Sequence, residues 1–399
     1  MPGELRRRLT PVRLPMSRFP LRCQYWRRTY RASDGGPHSD RRGRVSRRPD
    51  LRRRPGARPM RFAKRISPIA LATLSIALLA SACTSASSHA TSPAVTSRPN
   101  ASQPNAGQPN APTSFRTSLA PFQLPVPVSR PVVVAEGTKL VSLGGLTAGN
   151  TSSSAVLQID PASASISQVG QLAQASHDAG GASLGGRLVV FGGGAATVHD
   201  TVQAFSSGSP AAQVVGHLPR PRADLSVVTD NGLAYIVGGY DGTNADPAVL
   251  ATSDGTTLRT VAQLPHPVRY GAAAALGRYI WVFGGVGNGG TDNYPATSYI
   301  QRIDTRTGQA TVAGTLPVAL SHAAAVVVDG TVLVAGGLVG GHATSTLWRL
   351  DPATATVVPA GSLPEAVSMP GAAAVGGVGY LVGGENSAAL RTVVEVRPA

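Results

Sequence analysis

The chain has 399 residues, 42% of them hydrophobic and only 14% charged, with 46 Gly, 32 Pro and 2 Cys. So few charges exclude a long solvated helix or coiled coil, and two cysteines exclude a disulfide scaffold or a site built from several thiolates. The net charge of +16 suggests a nucleic-acid binder until it is placed: residues 1–65 hold 21 Lys and Arg against 4 Asp and Glu, leaving 15 basic and 16 acidic residues for 66–399.

Residues 1–59 are Arg-rich, carry no sustained apolar period and cannot bury a core. A basic arm for nucleic acid is one reading. The other is an over-long start, because Met60 opens a complete export signal: Arg61, Lys64 and Arg65, then an apolar run from Ile66 to Ala82, then Cys83. A DNA-binding arm ahead of an export signal makes little mechanical sense, so no nucleic-acid partner is expected. The run is short for a bilayer span, which needs about 20 residues.

The residues entering Cys83 (Leu79, Ala80, Ser81, Ala82) resemble the lipobox of bacterial lipoproteins. The resemblance implies lipidation of Cys83 and a membrane anchor on the extracytoplasmic face. Ala80 stands where that family usually has Leu, so simple cleavage after Ala82 stays open. Residues 84–118 are rich in Ser, Thr, Ala, Pro and Asn, with Pro-Asn-Ala recurring at Pro99, Pro104 and Pro109. Such a composition reads as a semi-extended tether.

A repeat follows. Gly-Gly pairs close apolar runs at Gly144, Gly192, Gly238, Gly284, Gly336 and Gly383, at steps of 48, 46, 46, 52 and 47 residues. Twenty residues before each pair stands a leucine: Leu124, Leu172, Leu218, Leu264, Leu316 and Leu363. All but Leu172 precede a proline. Within a unit, an Ala/Gly/Val run such as 323–328 leads through an Asp-Gly or Asn-Gly turn to a second apolar run ending at the Gly pair. A polar loop, a third strand, an Asp-Pro turn and a fourth strand complete it. Four short strands per period of about 46 residues predict propeller blades. The small first strand belongs at the crowded axis.

Over roughly 120–399 the sequence resembles the kelch repeat, in its apolar strand ending in Gly-Gly, its Asp351-Pro352-x-Thr354 turn and its Leu-Pro before the next inner strand. The Tyr and Trp usual in that family are mostly missing; Tyr240 matches the first. The resemblance implies an all-β, six-bladed propeller over 119–399, with four antiparallel strands per blade. The last unit stops after a third strand, and the apolar segment Leu119–Val126 precedes the first unit. An N-terminal strand is therefore predicted to close the last blade.

In this topology the loops after Leu-Pro and after Gly-Gly open on one face around the axis. The sixth residue after each leucine gives Arg130, Asp178, Asp224, Tyr270, His322 and Met369. Neighbouring positions add His177, Arg269, Tyr240 and Glu385, and the long loop at 287–297 adds Asp292, Asn293 and Tyr294. The candidate ligand-binding residues are Arg130, Asp178, Asp224, Arg269, Tyr270, His322, Tyr240 and Glu385, whose mixed charge suits a polar ligand. Each also reads as a solvated loop residue or an inter-blade lock.

Galactose-oxidase-like propellers share the repeat but use copper beside a thioether-linked Cys; no Cys follows Cys83, and no metal or other cofactor is expected. Kelch-like sialic-acid mutarotases are six-bladed and exported, and no local motif here selects their acid/base groups. The expectation is a membrane-tethered, extracytoplasmic binding module for a polar ligand, a glycan or an envelope protein. The alternative is a carbohydrate-active enzyme on the same scaffold.

Overall fold

The computed structural model describes residues 111–288 and 295–399, and every described element is a strand or a turn. The leader, the export signal, Cys83 and the tether as far as residue 110 lie outside the described residues. So do Asp292, Asn293 and Tyr294.

Six antiparallel blades follow the predicted period, five as four-stranded sheets and the fifth blade with the short extra strand Leu338–Val339 added to its four. The fourth blade shows the pattern: Ala272–Leu276 innermost, then Tyr279–Phe283, Tyr299–Asp304 and Ala310–Thr315. Its second strand is apolar without alternation because both of its faces are covered. Ile280 and Val282 enter the core shared with the third blade, whereas Trp281 and Phe283 enter the core shared with the fifth. Six such clusters fill the six seams among the described residues, and no single central core exists. In the first four blades the pairing of third with fourth strand slips at the same place, as between Val202 and Gln203 and between Ile300 and Gln301. A bulge there adds the twist a blade needs from axis to rim.

The Gly pairs are the joints of the ring. The second glycine of each pair donates its N–H to the same carbonyl of the following blade, four residues past the repeat leucine: Gly285 to Leu320 at 2.8 Å, Gly193 to Arg222 at 2.8 Å, Gly384 to Val128 at 2.9 Å. The first glycine lies against that same oxygen. At Gly284 (φ 59°) a Cβ would stand 2.0 Å from the Leu320 oxygen, so no other residue fits without moving the neighbouring blade.

The last blade is closed by an N-terminal strand, as expected from the chain ends, but from a different place. Phe115–Leu119 pairs with Val393–Pro398, with Phe115 opposite Pro398 and Leu119 opposite Val394. The closing strand thus starts four residues inside the tract read as tether. The segment chosen for it, 119–126, instead runs on irregularly and contributes Ala120, Phe122 and Leu124 to the seam between the last and first blades. Phe115, with the alternate Thr117 and Leu119 among polar residues, makes a weak strand signal by itself. The exposed edge of Val393–Pro398 supplies the pairing that the segment cannot specify alone.

Candidate functional site

The six residues at the sixth position after each leucine all take positive φ, between 54° and 59°, although none is glycine. A run of five backbone hydrogen bonds around the axis holds them there. Asp224 N–H donates to Asp178 O at 2.8 Å, Tyr270 to Asp224 at 2.9 Å, His322 to Tyr270 at 2.9 Å, Met369 to His322 at 2.8 Å, and Arg130 to Met369 at 2.9 Å. The conformation costs about 1 kcal/mol per non-glycine residue, and the surrounding blades enforce it. With five of these six amides engaged on neighbouring carbonyls, the side chains are left to define the site.

Those side chains ring an axial cavity of about 180 Å³. Arg130, Asp178, Asp224, Tyr270, His322 and Met369 form its rim, and the Gly- and Ala-rich first strands form its wall. A dry cavity of about 150 Å³ accommodates a benzene-sized molecule, so this volume suits a single small ring or a short polar chain. One half is charged. Arg130 Nη1 reaches Asp178 Oδ2 at 2.9 Å and Arg130 Nη2 lies 3.9 Å from Glu385. Arg269 lies 3.5 Å from Asp224 and packs over the Tyr240 and Tyr270 rings at 4.5 and 5.3 Å. The other half is aromatic and soft: Tyr270 and His322 stack with centroids 3.8 Å apart, and Met369 follows.

All eight residues singled out in the sequence therefore converge on one face, five on the cavity itself and Arg269, Tyr240 and Glu385 just outside it. Met369, present in the register but not among those eight, also lines the cavity. Two acidic residues of the loops after the second and third Gly pairs do not join. Asp200 faces His217 at 3.1 Å, and Asp241 accepts from the Thr243 and Asn244 amides at 2.8 and 2.7 Å, bracing its own loop.

Burial sets the protonation states. The Asp224 carboxyl, buried and beside the like charge of Asp178, is pushed up to about 8 against the pull of Arg269 and Arg130. Its Oδ1 is buried with no hydrogen-bond partner among the described residues. Burial, with Arg130 and Arg269 nearby, holds His322 far below the ordinary imidazole range, so its ring is neutral, with Nδ1 2.8 Å from Ser321 Oγ. Burial opposes the charge on Arg130, yet Asp178, Tyr270 and Glu385 hold it firmly protonated. Among the described residues, no group of three His, Cys, Asp or Glu side chains is placed to hold a metal ion.

The Kelch motif family model matches residues 319–364, which cover all but the end of the fifth blade's last strand. A likeness to the solved structure of YjhT covers 68% of this chain and 95% of that one, at 13% identity and a TM-score of 0.59. With six Gly-Gly joints in register, these findings decide the class. This is a six-bladed propeller whose fifth blade carries a Kelch motif. No curated protein matches the sequence. The likeness to YjhT rests on the fold alone. The Leu-Pro of the matched blade, Leu316-Pro317, lies just ahead of the match, and its ring residue His322 lies within it.

One constellation on this face carries no signal in the sequence. Ser152, in the loop after the first Gly pair, places its Oγ 2.9 Å from His177 Nδ1. No register landmark marks Ser152, because the post-Gly loops vary in length from blade to blade.

Proposed function

We propose that the protein is a binding module held outside the cytoplasm by a lipid on Cys83, with the axial cavity of its propeller receiving a small polar ligand, a glycan terminus or a side chain of an envelope protein. The observation that carries this reading is the axial constellation: Arg130, Asp178, the protonated Asp224 and the Tyr270–His322 stack around one cavity, with Arg269 just outside it and one Asp224 oxygen left unpartnered. A neutral, hydroxyl-rich ligand fits these groups. Its donors satisfy Asp224, its acceptors meet Arg130, and its apolar edge lies on Tyr270 and His322. Kelch-type repeats elsewhere on the ring supply the rigidity that pre-organises such a site.

The test is titration of the full chain with a panel of monosaccharides and cell-wall fragments. Arg130→Ala and His322→Gln should weaken binding tenfold or more, the loss of roughly 1.5–3 kcal/mol expected for a charge-assisted hydrogen bond. Arg259→Ala and Arg306→Ala, exposed on the opposite face, should not. Normal binding by the ring variants with failure of the controls would move the working surface to that other face.

A specific observation favours a second reading as a carbohydrate-active enzyme. A carboxyl raised to about 8 and a neutral imidazole line one cavity, with Tyr270 between them, as a proton donor and a proton acceptor for a bound substrate. In that case Asp224→Asn abolishes turnover while the ligand still binds.

A further inference from the structure

The face that carries the cavity holds a second arrangement, in the seam between the first and second blades. Ser152 Oγ lies 2.9 Å from His177 Nδ1. The other nitrogen of the same ring, His177 Nε2, lies 3.6 Å from Asp178 Oδ2, and that carboxylate is itself fixed by Arg130 at 2.9 Å. His177 is 5% exposed and its backbone is pinned in both directions to Gly194, at 3.0 and 2.8 Å, so the ring cannot swing away. Ser152 is only half-buried and stays reachable from solvent.

The order of groups is hydroxyl, imidazole, carboxylate. With the proton of His177 on Nε2, facing Asp178, its Nδ1 is a bare acceptor for the Ser152 hydroxyl. That is the tautomer a base needs in order to take the serine proton. Burial, reinforced by Arg130, keeps the ring below the ordinary imidazole value against the pull of Asp178, so it is unprotonated at neutral pH. A Ser–His pair alone would not suffice for this reading. The propeller contains another, Ser321 Oγ and His322 Nδ1 at 2.8 Å, but there the serine is 5% exposed and the ring stacks on Tyr270.

We propose that Ser152 is an acyl-accepting nucleophile, with His177 as its general base and Asp178 as the positioning residue, acting on small carboxylic esters at the rim of the axial cavity. Ser152 Oγ forms a bond to the acyl carbon while its proton passes to His177 Nδ1. The C–O bond to the alcohol breaks, and the proton on Nδ1 goes to the departing oxygen. Water, deprotonated by the same nitrogen, then attacks the acyl-serine. The products are the carboxylic acid and the free Ser152 hydroxyl, and no oxidant or cofactor takes part. Asp178 belongs to both sites, so a ligand in the cavity that draws on its carboxylate alters the orientation of His177.

The experiment is labelling of the full chain with a fluorophosphonate probe, located by peptide mass spectrometry, alongside hydrolysis of p-nitrophenyl acetate. Expected are a phosphonylated Ser152, loss of label and of turnover in Ser152→Ala, and a fall of at least a hundredfold in labelling rate in His177→Gln. The rate should rise with pH through a single ionisation below the ordinary histidine value. Because His177 is buried, its variant is read together with its melting curve; Ser152→Ala, at a half-buried loop position, keeps the test decisive if His177→Gln does not fold. An unlabelled Ser152 in folded protein at pH 8, label found on Ser321 instead, or turnover unchanged in Ser152→Ala overturns the proposal. Each of these leaves ligand binding in the cavity standing, since that reading is tested by titration.

Discussion

The amide of Gly384 in the last blade donates to the carbonyl of Val128, at the entrance to the first, at 2.9 Å. This bond repeats across the chain termini the joint that every other pair of neighbouring blades makes. The ring is therefore closed twice: near the axis by this bond between the last and first blades, and at the rim by the strand Phe115–Leu119, which completes the last blade and packs Phe115 against the fifth.

The rim closure should be the costlier one to lose. A chain beginning at residue 111 should melt like the full-length protein. One beginning at residue 121 loses the paired strand and uncovers the apolar seam that Phe115 fills. Phe115→Ala alone should cost about 3–4 kcal/mol, the usual price of truncating a buried phenylalanine. Coincident melting curves for the two truncations would show that the strand contributes nothing.

Gly284→Ala tests the joints. The new methyl would meet the Leu320 carbonyl at 2.0 Å from a left-handed backbone, so the blades must part or the turn must rearrange. A loss of roughly 2–4 kcal/mol is expected, against less than about 0.5 kcal/mol for Gly185→Ala, whose Cβ meets nothing within 4 Å, beyond the strain common to both positive φ values. Chemical denaturation of both variants measures the difference.

Arg222 and Asp246 form a buried lock at 2.6 Å, with side-chain exposures of 3% and 4%, and the same guanidinium donates to Gly238 O and Ala248 O at 3.1 and 2.8 Å. Arg222→Met leaves an uncompensated carboxylate and should cost about 3–5 kcal/mol. Adding Asp246→Asn should recover part of that loss. A double-mutant cycle with no recovery would show that the ion pair is not what Arg222 supplies.

Asp224 gives a pH dependence with a defined sign. Its folded-state value of about 8 lies above the unfolded value of about 3.9. Between these limits the folded protein holds a proton that the unfolded chain has released, so its contribution is greatest below pH ~4 and falls as pH rises toward 8. Asp224→Asn has no such proton to lose. Relative to the wild type, the variant should gain stability steadily from pH 5 to 8 and then level off. His177, His199 and His322, held below their ordinary values by burial, act in the opposite direction in both proteins, so the difference between the two stability curves isolates Asp224. A flat difference would mean that Asp224 is ionised throughout.

The amino-acid sequence by itself determined the repeat, the blade count and the face on which the polar residues gather. Each follows from local chemistry: Gly-Gly where two backbones meet, Asn231-Gly232 or Asp329-Gly330 where a hairpin must turn, and apolar runs where both faces of a strand are covered. The position of Arg130, Asp178 and Asp224 on one ring was legible because a fixed offset from a repeat leucine is a fixed place in the blade. What only the tertiary structure decided is which groups touch. Arg130 meets Asp178 across 48 residues, Ser152 meets His177 from a loop of no fixed length, and Phe115 finds its strand partner 283 residues away at Pro398. These contacts cross from one blade to the next or from one end of the chain to the other, so their distances depend on closing the ring, and no local preference encodes them.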